Sequence, residues 1–196
     1  PYDSMTRRQF GAFSAFCGLC EKGGLGLGMR HCCNSAAIVN FPEMHLDAVR
    51  AGILLYGLSP NPGVTDAAGL LPCMTLKANV VQLSHIRKGD TVSYGAAFVS
   101  DCDMTVATLS VGYADGLLRA LSGKADVVIR GKKAKMVGKI CMDMCMADVS
   151  GIDCEVGDEA VIFGDGQSAD RLAELAGTIN YEILCSVRNR VSRRYI

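Results

Sequence analysis

Several signals are missing from this chain, and each absence removes a class of function. The formal charges cancel, with 20 Lys and Arg against 20 Asp and Glu. No broad electrostatic attraction to nucleic acid or to an acidic membrane is therefore expected. The basic tail, Arg188, Arg190, Arg193 and Arg194, is too short and too interrupted to reverse that. No run approaches the ~20 apolar residues that a membrane span needs, and no secretory signal is recognisable. Internal repeats and low-complexity segments are lacking too. What remains is an ordinary globular balance, 49% apolar and 20% charged in 196 residues, enough for one large domain or two small ones. The chain begins with Pro1 rather than Met, so the expectation is a processed chain or one whose N-terminal part is missing.

Ten cysteines are present without the spacing of a framework. Cys73, Cys102, Cys141, Cys145 and Cys185 fall inside apolar segments, where a free thiol is expected to behave as a small buried hydrophobe. Cys17 and Cys20 form a Cys-x-x-Cys pair, but no second pair lies at zinc-ribbon distance. Many thiols without a framework point to a reducing cytoplasm, and no metal site is expected.

Along the chain, Thr6-Arg7-Arg8-Gln9 reads as a capping box opening a helix. Phe10, Phe13, Phe16, Cys17 and Cys20 then recur at helical spacing, which makes the Cys-x-x-Cys part of an apolar stripe; a redox or metal role is the alternative. Gly23-Gly24 ends the helix. Leu25 to Cys33 is expected as a short strand, Asn34-Ser35 as the cap of a short helix from Ala36 to Val39, Phe41 to Asp47 as a brief helical piece, and Val49 to Tyr56 as an apolar strand interrupted by Gly52. This order is α/β with parallel strands. Pro60, Asn61, Pro62, Gly63 and Pro72 mark a linker. Beyond it the pattern is mostly strand: 73–83, 90–98, 103–111, 125–130, 134–141 and 158–163. A hairpin turn is expected at Arg130-Gly131-Lys132. Ser168 to Ala176 forms an amphipathic helix ended by Gly177, and Thr178 is expected to cap a second one running to about Ser186.

The chemistry-bearing patterns begin with Gly112-Tyr113-Ala114-Asp115-Gly116, directly after the strand-like run Met104 to Val111. A tyrosine between glycines at a strand end sits where the backbone turns sharply, so its hydroxyl projects off the sheet. The others are Arg30-His31-Cys32-Cys33-Asn34-Ser35-Ala36-Ala37, Val49-Arg50-Ala51-Gly52-Ile53 with Leu55-Tyr56-Gly57, Ile140-Cys141-Met142-Asp143, and Gly177-Thr178-Ile179-Asn180-Tyr181-Glu182. Taken in this order, and with Arg190-Val191-Ser192-Arg193-Arg194-Tyr195 at the end, the chain resembles alanine racemase, a pyridoxal-phosphate enzyme, over essentially its whole length.

That resemblance implies a (β/α)8 barrel followed by a β-rich C-terminal domain. A complete barrel takes ~250 residues, and far fewer precede the linker. The expected organisation is therefore the C-terminal part of a pyridoxal-phosphate-binding barrel over 1–71 and a β-rich domain over 72–196. By resemblance, Asn34 and Ser35 together with the backbone of Gly52 and Ile53 hold the cofactor phosphate, and Tyr181 adds its hydroxyl. A helix N-terminus suits a dianion, and glycine lets an amide approach an oxyanion closely; a plain N-cap is the other reading of Asn34-Ser35. Arg50 is implied to face the pyridine nitrogen. A guanidinium keeps its proton, so the ring nitrogen stays unprotonated and side reactions such as transamination are curbed; a surface salt-bridge arginine is the alternative. His31 either orients Arg50 or is structural.

Racemisation needs one acid/base group on each face of Cα. The family uses its cofactor-binding lysine and a tyrosine from the other subunit of a homodimer, and Tyr113 matches that tyrosine. A phenol ordinarily titrates near ~10, so such a site must stabilise the phenolate or couple its deprotonation to proton transfer. Asp115 is read as fixing the turn. Met142 matches a position whose backbone contacts the substrate carboxylate, with Cys141 and Asp143 shaping that wall. The family's lysine lies on the first barrel strand, outside this sequence, as does the substrate-carboxylate arginine. Lys77, in Leu76-Lys77-Ala78-Asn79, is not its substitute: it follows the linker, belongs to the β-rich domain and lacks the aromatic and glycine that follow the family's lysine. The expectation is the C-terminal portion of a cytoplasmic alanine racemase making D-alanine for peptidoglycan, inactive as this chain alone. The alternatives are a racemase for serine or of broad specificity, a non-catalytic assembly module, and a thiol or metal protein.

Overall fold

The computed structural model describes residues 2–60 and 69–196, and the linker positions Asn61, Pro62 and Gly63 lie outside them. Two compact units divide the chain, Pro1–Pro72 and Cys73–Ile196.

The first unit opens with α1 (Tyr2–Lys22). This helix begins a turn earlier than the capping-box reading, and Thr6 to Gln9 lie inside it. Arg7 reaches back to Asp3 across one turn, 3.2 Å away, and an acidic residue in the first turn suits the helix dipole. The helix ends before Gly23-Gly24, and Gly24 takes a left-handed φ of 77°. On its apolar face Cys17 is buried and Cys20 partly so, whereas Phe16 is 64% exposed.

After the helix comes α2 (Ser35–Asn40), with Asn34 as its N-cap. A 3-10 turn follows at Pro42–Met44 and another at Ile53–Tyr56. Neither strand expected in this unit forms as a full strand. Leu25 to Cys33 contributes a single parallel bridge, His31 to Ala48, because glycines at 24, 26 and 28 leave little to hold an extended ladder. The Val49–Tyr56 segment joins the same pairing through Arg50, whose amide donates to the Cys33 carbonyl at 2.8 Å. It then coils into the 3-10 turn, closed by Gly57 at a φ of 70°.

The second unit is a closed six-stranded antiparallel barrel. Its strands are β1 (Leu76–Ile86), β4 (Met104–Leu109), β5 (Asp126–Ile129), β6 (Lys132–Val137), β7 (Cys145–Asp148) and β8 (Glu159–Phe163), in the order β1-β4-β7-β6-β5-β8. Closure depends on the length of β1. Its first half, Leu76 to Asn79, pairs with β8, and its second half pairs with β4. Leu76, Ala78 and Val80 point inward and Lys77 and Asn79 outward, the two-residue period of a half-buried strand. Val80, Ala107, Leu109, Val127, Ile129, Met136, Ile162 and Phe163 fill the interior.

The expected hairpin joins β5 to β6 with Ile129 opposite Lys132. Arg130 and Gly131 both have positive φ, 48° and 75°, the two-residue turn whose twist matches its strands. Arginine is an unusual residue there; its guanidinium is anchored to Glu155 and Asp158 at 2.6 and 2.7 Å.

The 90–98 run is not one strand. It splits into β2 (Thr91–Val92) and β3 (Phe98–Val99), which pair with each other across a turn at Tyr94–Ala96. Ser93, Gly95 and Ala96 carry positive φ there. The 134–141 run stops at Val137, and β7 follows where no strand was expected. The helix α3 (Ala169–Ala176) is capped by Ser168 and ended by Gly177 at a φ of 74°. In α4 (Asn180–Ser186) the N-cap position is Ile179 rather than Thr178; the Thr178 hydroxyl donates instead to the Glu182 carboxylate.

None of the ten cysteines is in a disulfide. Cys145 is buried as expected, but Cys73, Cys102 and Cys185 are exposed and Cys141 is intermediate. Among the described residues no helix is long and apolar enough to cross a membrane.

Candidate active site

The predicted site residues divide between the two units, with Asn34, Ser35, His31, Arg50, Gly52 and Ile53 in the first and Tyr113, Cys141, Met142, Asp143 and Tyr181 in the second. In the first unit the extended segments 30–33 and 47–50 lie side by side. Arg30 fixes their register: its backbone amide and Nε each donate to the Asp47 carboxylate at 2.9 Å. That guanidinium and amide hold the Asp47 carboxyl down at about 2.

One step further on, Arg50 Nη1 lies 3.1 Å from His31 Nδ1 and 3.5 Å from the His31 carbonyl oxygen. A guanidinium has no acceptor, so the ring nitrogen must accept. The contact therefore requires neutral His31 with its proton on Nε2. Arg50 thus faces an imidazole, not a carboxylate, and among the described residues nothing else engages its remaining N–H groups.

Asn34 begins α2 by accepting the Ala37 amide at 3.0 Å. The first amides of the helix, at Ser35 and Ala36, precede any acceptor within it. Ser35 is 3% exposed, and its Oγ accepts the Gly52 amide at 2.9 Å. With its oxygen so engaged, the Ser35 hydroxyl is free to donate onward. Among the described residues a Cβ placed on Gly52 would meet only Ser35 Oγ, at 3.7 Å. Glycine thus leaves space beside a hydroxyl, a helix start and the first amides of the Ile53–Tyr56 turn. Such donors fit an oxyanion.

In the second unit, β4 leads through Ser110 and Val111 into Gly112. The backbone there is pressed against the loop before β7. A Cβ on Gly112 would sit 2.3 Å from the Met142 carbonyl oxygen and 2.4 Å from that of Cys141. This contact lets Tyr113 donate its amide to Cys141 and Ala114 its amide to Met142, each at 3.0 Å. The Asp115 carboxylate accepts the Gly112 amide at 2.9 Å and closes the turn, as the sequence suggested.

Tyr113 and Met142 emerge half-exposed, 49% and 51%, with Cys141 partly buried and Asp143 exposed. An open groove of about 780 Å³ runs past Cys141, Met142, Asp143 and Met144 over the outer face of β1, β4 and β7. Tyr181 stands in the first turn of α4, partly buried. Lys77 lies apart, paired with Glu159 at 3.0 Å.

One polar residue at this site had no role assigned from the sequence. Arg190 donates from Nε to Asp115 at 2.9 Å and from Nη2 to Asp143. Its only signal was a place in the Arg-rich C-terminal run, and nothing local in the sequence links residue 190 to 115 and 143.

The second unit and the C-terminal part of the chain match a family model described as "Alanine racemase, C-terminal domain" over residues 73–195, and residues 1–60 match "Alanine racemase, N-terminal domain". The chain belongs to the alanine racemase family. The alanine racemase of Desulfovibrio desulfuricans is 48% identical over 190 residues, covering 96% of this chain and 51% of that protein. That of Desulforamulus reducens is 45% identical over 196 residues, covering 98% and 53%.

Among solved structures, alanine racemase from Clostridium difficile 630 in complex with cycloserine superposes with a TM-score of 0.92 at 37% identity, covering 96% of this chain and 51% of that one. Alanine racemase from the D-cycloserine producer Streptomyces lavendulae gives 0.92 at 39%, covering 97% and 52%. The chain thus spans about half the length of the racemases it matches. Its fold is the end of a family barrel domain followed by the family's β-rich C-terminal domain.

Proposed function

We propose that this chain is the C-terminal portion of a pyridoxal-phosphate-dependent alanine racemase that interconverts L- and D-alanine by two-base proton transfer. The observation that carries the reading is the Gly112–Gly116 turn, locked by backbone hydrogen bonds to Cys141 and Met142, in a chain of the alanine racemase family. That lock supports a half-exposed phenol held in fixed register with a wall of backbone, which is what an acid/base group facing a bound amino acid requires.

The donor set of the first unit fits pyridoxal phosphate. Asn34, Ser35 and Ile53 would hold its phosphate, Gly52 would leave it room while its amide steadies the Ser35 hydroxyl, and Tyr181 would add a hydroxyl. Arg50, steadied by His31, would donate to the ring nitrogen. Bound there, the cofactor supplies an electron sink that makes the Cα proton removable. Arg50 cannot protonate the ring nitrogen fully, because a guanidinium gives up no proton in this range, and the sink is thereby kept moderate.

Tyr113, contributed in trans across a homodimer, moves a proton at its phenolic oxygen on one face of Cα. The opposing lysine belongs to a part of the protein outside this chain. Met142 orients the substrate carboxylate through its backbone, between Cys141 and Asp143. The chain alone, lacking that lysine, does not turn over. A cytoplasmic role in supplying D-alanine for peptidoglycan follows from the same reading.

The test uses the complete protein. Tyr113→Phe, which keeps the ring and deletes the proton carrier, should lower alanine racemisation by about 10²–10⁴-fold, the range for loss of a general acid/base. Turnover of serine at a rate equal to alanine would instead favour the broad-specificity alternative. Unchanged racemisation in Tyr113→Phe would refute the reading.

A further inference from the structure

We infer that Arg190 is a positioning residue that fixes the reach of Tyr113 by tying three separate stretches of chain into one rigid block. The inference rests on the racemase reading above and adds a residue to it.

Tyr113, Met142 and Tyr181 come from places far apart in sequence, and their alignment must be enforced by the fold. Two of the three junctions are made of backbone. Gly112 abuts the carbonyls of Cys141 and Met142. At the other end of the same turn Gly116, at a φ of 111°, abuts Ser186 and Val187, where an added Cβ would come within 2.9 Å. There the Ser186 hydroxyl donates to the Gly116 carbonyl at 2.7 Å. Arg190 supplies the third junction. Its planar fork spans Asp115 in the tyrosine turn and Asp143 beside Met142.

Asp115 in turn holds the Gly112 amide at 2.9 Å, so the guanidinium acts on the residue immediately before Tyr113. The Asp115 side chain is only 15% exposed, which makes this the better sheltered of the two pairs. Downstream, Arg193 donates to the Val187 carbonyl at 2.7 Å and secures the segment that carries Arg190. Removing the guanidinium leaves two carboxylates facing each other with no shared cation, and the two loops then repel. Lysine restores the charge but not the fork, since an ammonium is a point donor.

Two measurements test this. In the complete protein, Arg190→Met should speed amide hydrogen exchange at Gly112, Tyr113 and Ala114 while leaving exchange in β5 and β6 unchanged. In the complete protein the same substitution should lower kcat by about 10–100-fold with KM for alanine shifted less than about threefold, the signature of a displaced reacting group rather than lost binding. Arg190→Lys should recover only part of the loss.

Because the two bases act on opposite faces, the Cα-deuterium isotope effect should rise for one alanine enantiomer and not the other. If Arg190→Met does not fold, Asp115→Asn carries the same expectation. It keeps an acceptor for Gly112 but loses the ionic tie. A kcat within twofold of wild type in a protein where Tyr113→Phe is inactive would overturn the role of Arg190 and leave the racemase reading standing. An active Tyr113→Phe would overturn the racemase reading itself. Equal isotope effects for both enantiomers would show that Arg190 does not act through Tyr113.

Discussion

Replacing Gly112 with alanine is the smallest change that should separate the tyrosine turn from the substrate wall. The added methyl would start 2.3 Å from the Met142 carbonyl oxygen and 2.4 Å from that of Cys141, roughly 1 Å inside van der Waals contact. Both obstacles are backbone, so no side-chain rotamer can relieve them. The turn must withdraw by a comparable distance, and the Tyr113 and Ala114 amides, now 3.0 Å from their acceptors, would pass beyond hydrogen-bonding range. Two such bonds contribute about 1 kcal/mol each, and donors left unsatisfied add more, for a total of about 2–4 kcal/mol.

Gly151→Ala is the control. It lies in the same unit, and a Cβ there meets nothing within 4 Å, so its effect should stay within about 0.5 kcal/mol. Urea unfolding of the two variants gives the difference directly, and amide exchange at Tyr113 and Ala114 shows where it arises. A Gly112→Ala protein as stable as Gly151→Ala, with both amides still protected, would refute the claim that this contact sets the position of Tyr113.

Other expectations follow from the charges and thiols. Asp47, held at about 2 by Arg30, has a folded pKa below its unfolded value near ~3.9. Its contribution to stability is therefore fully present above about pH 4 and is lost as pH falls through about 2. Asp47→Asn should flatten the acid limb of a stability profile between those values, and an unchanged limb would count against the pairing. Burial pushes the Cys145 thiol up to about 12, so Cys145 should resist an aromatic disulfide reagent at pH 8 until the protein unfolds, while the exposed Cys185 is labelled in the folded protein. Cys102 is also exposed, but its bond to Asp101 raises its pKa, so its labelling should speed up in Asp101→Asn. Mass mapping of the labelled sites ranks them.

Where local rules decided the outcome, the sequence was readable. Ser168 and Gly177 bracket α3, Arg130-Gly131 turns the hairpin, and alternating burial along β1 follows its residue pattern. It was misleading where a segment needs a partner. Val49 to Tyr56 is apolar enough for a strand, but its backbone bond to the neighbouring extended segment is made at Arg50, Gly52 turns to the Ser35 side chain, and the chain then coils. Strand β7 was hidden because Cys145 to Asp148 follows the Cys141–Asp143 motif with no turn signal before it. Only its pairing with β4 and β6 makes it a strand. The cysteine expectation failed for the converse reason: an apolar neighbourhood in sequence left Cys73 and Cys185 exposed in space.

The candidate site shows the same division. Residues whose chemistry is local, such as the Asn34 cap and the glycine-flanked tyrosine, are visible in a short window. Arg190 is not, because its role arises only when residues 115, 143 and 190 meet. That division has a physical consequence for how the site tolerates change. Tyr113 stands on a turn joined to Cys141 and Met142 by main-chain bonds, and those need only glycine at position 112. The ionic tie needs three particular side chains at once. Removing any one of the three leaves the others mispaired, so their effects should be non-additive. Combining Arg190→Met with Asp115→Asn and Asp143→Asn should cost less than the sum of the single changes, because the neutralised carboxylates no longer repel. Strict additivity across that set would mean the three do not act as a unit.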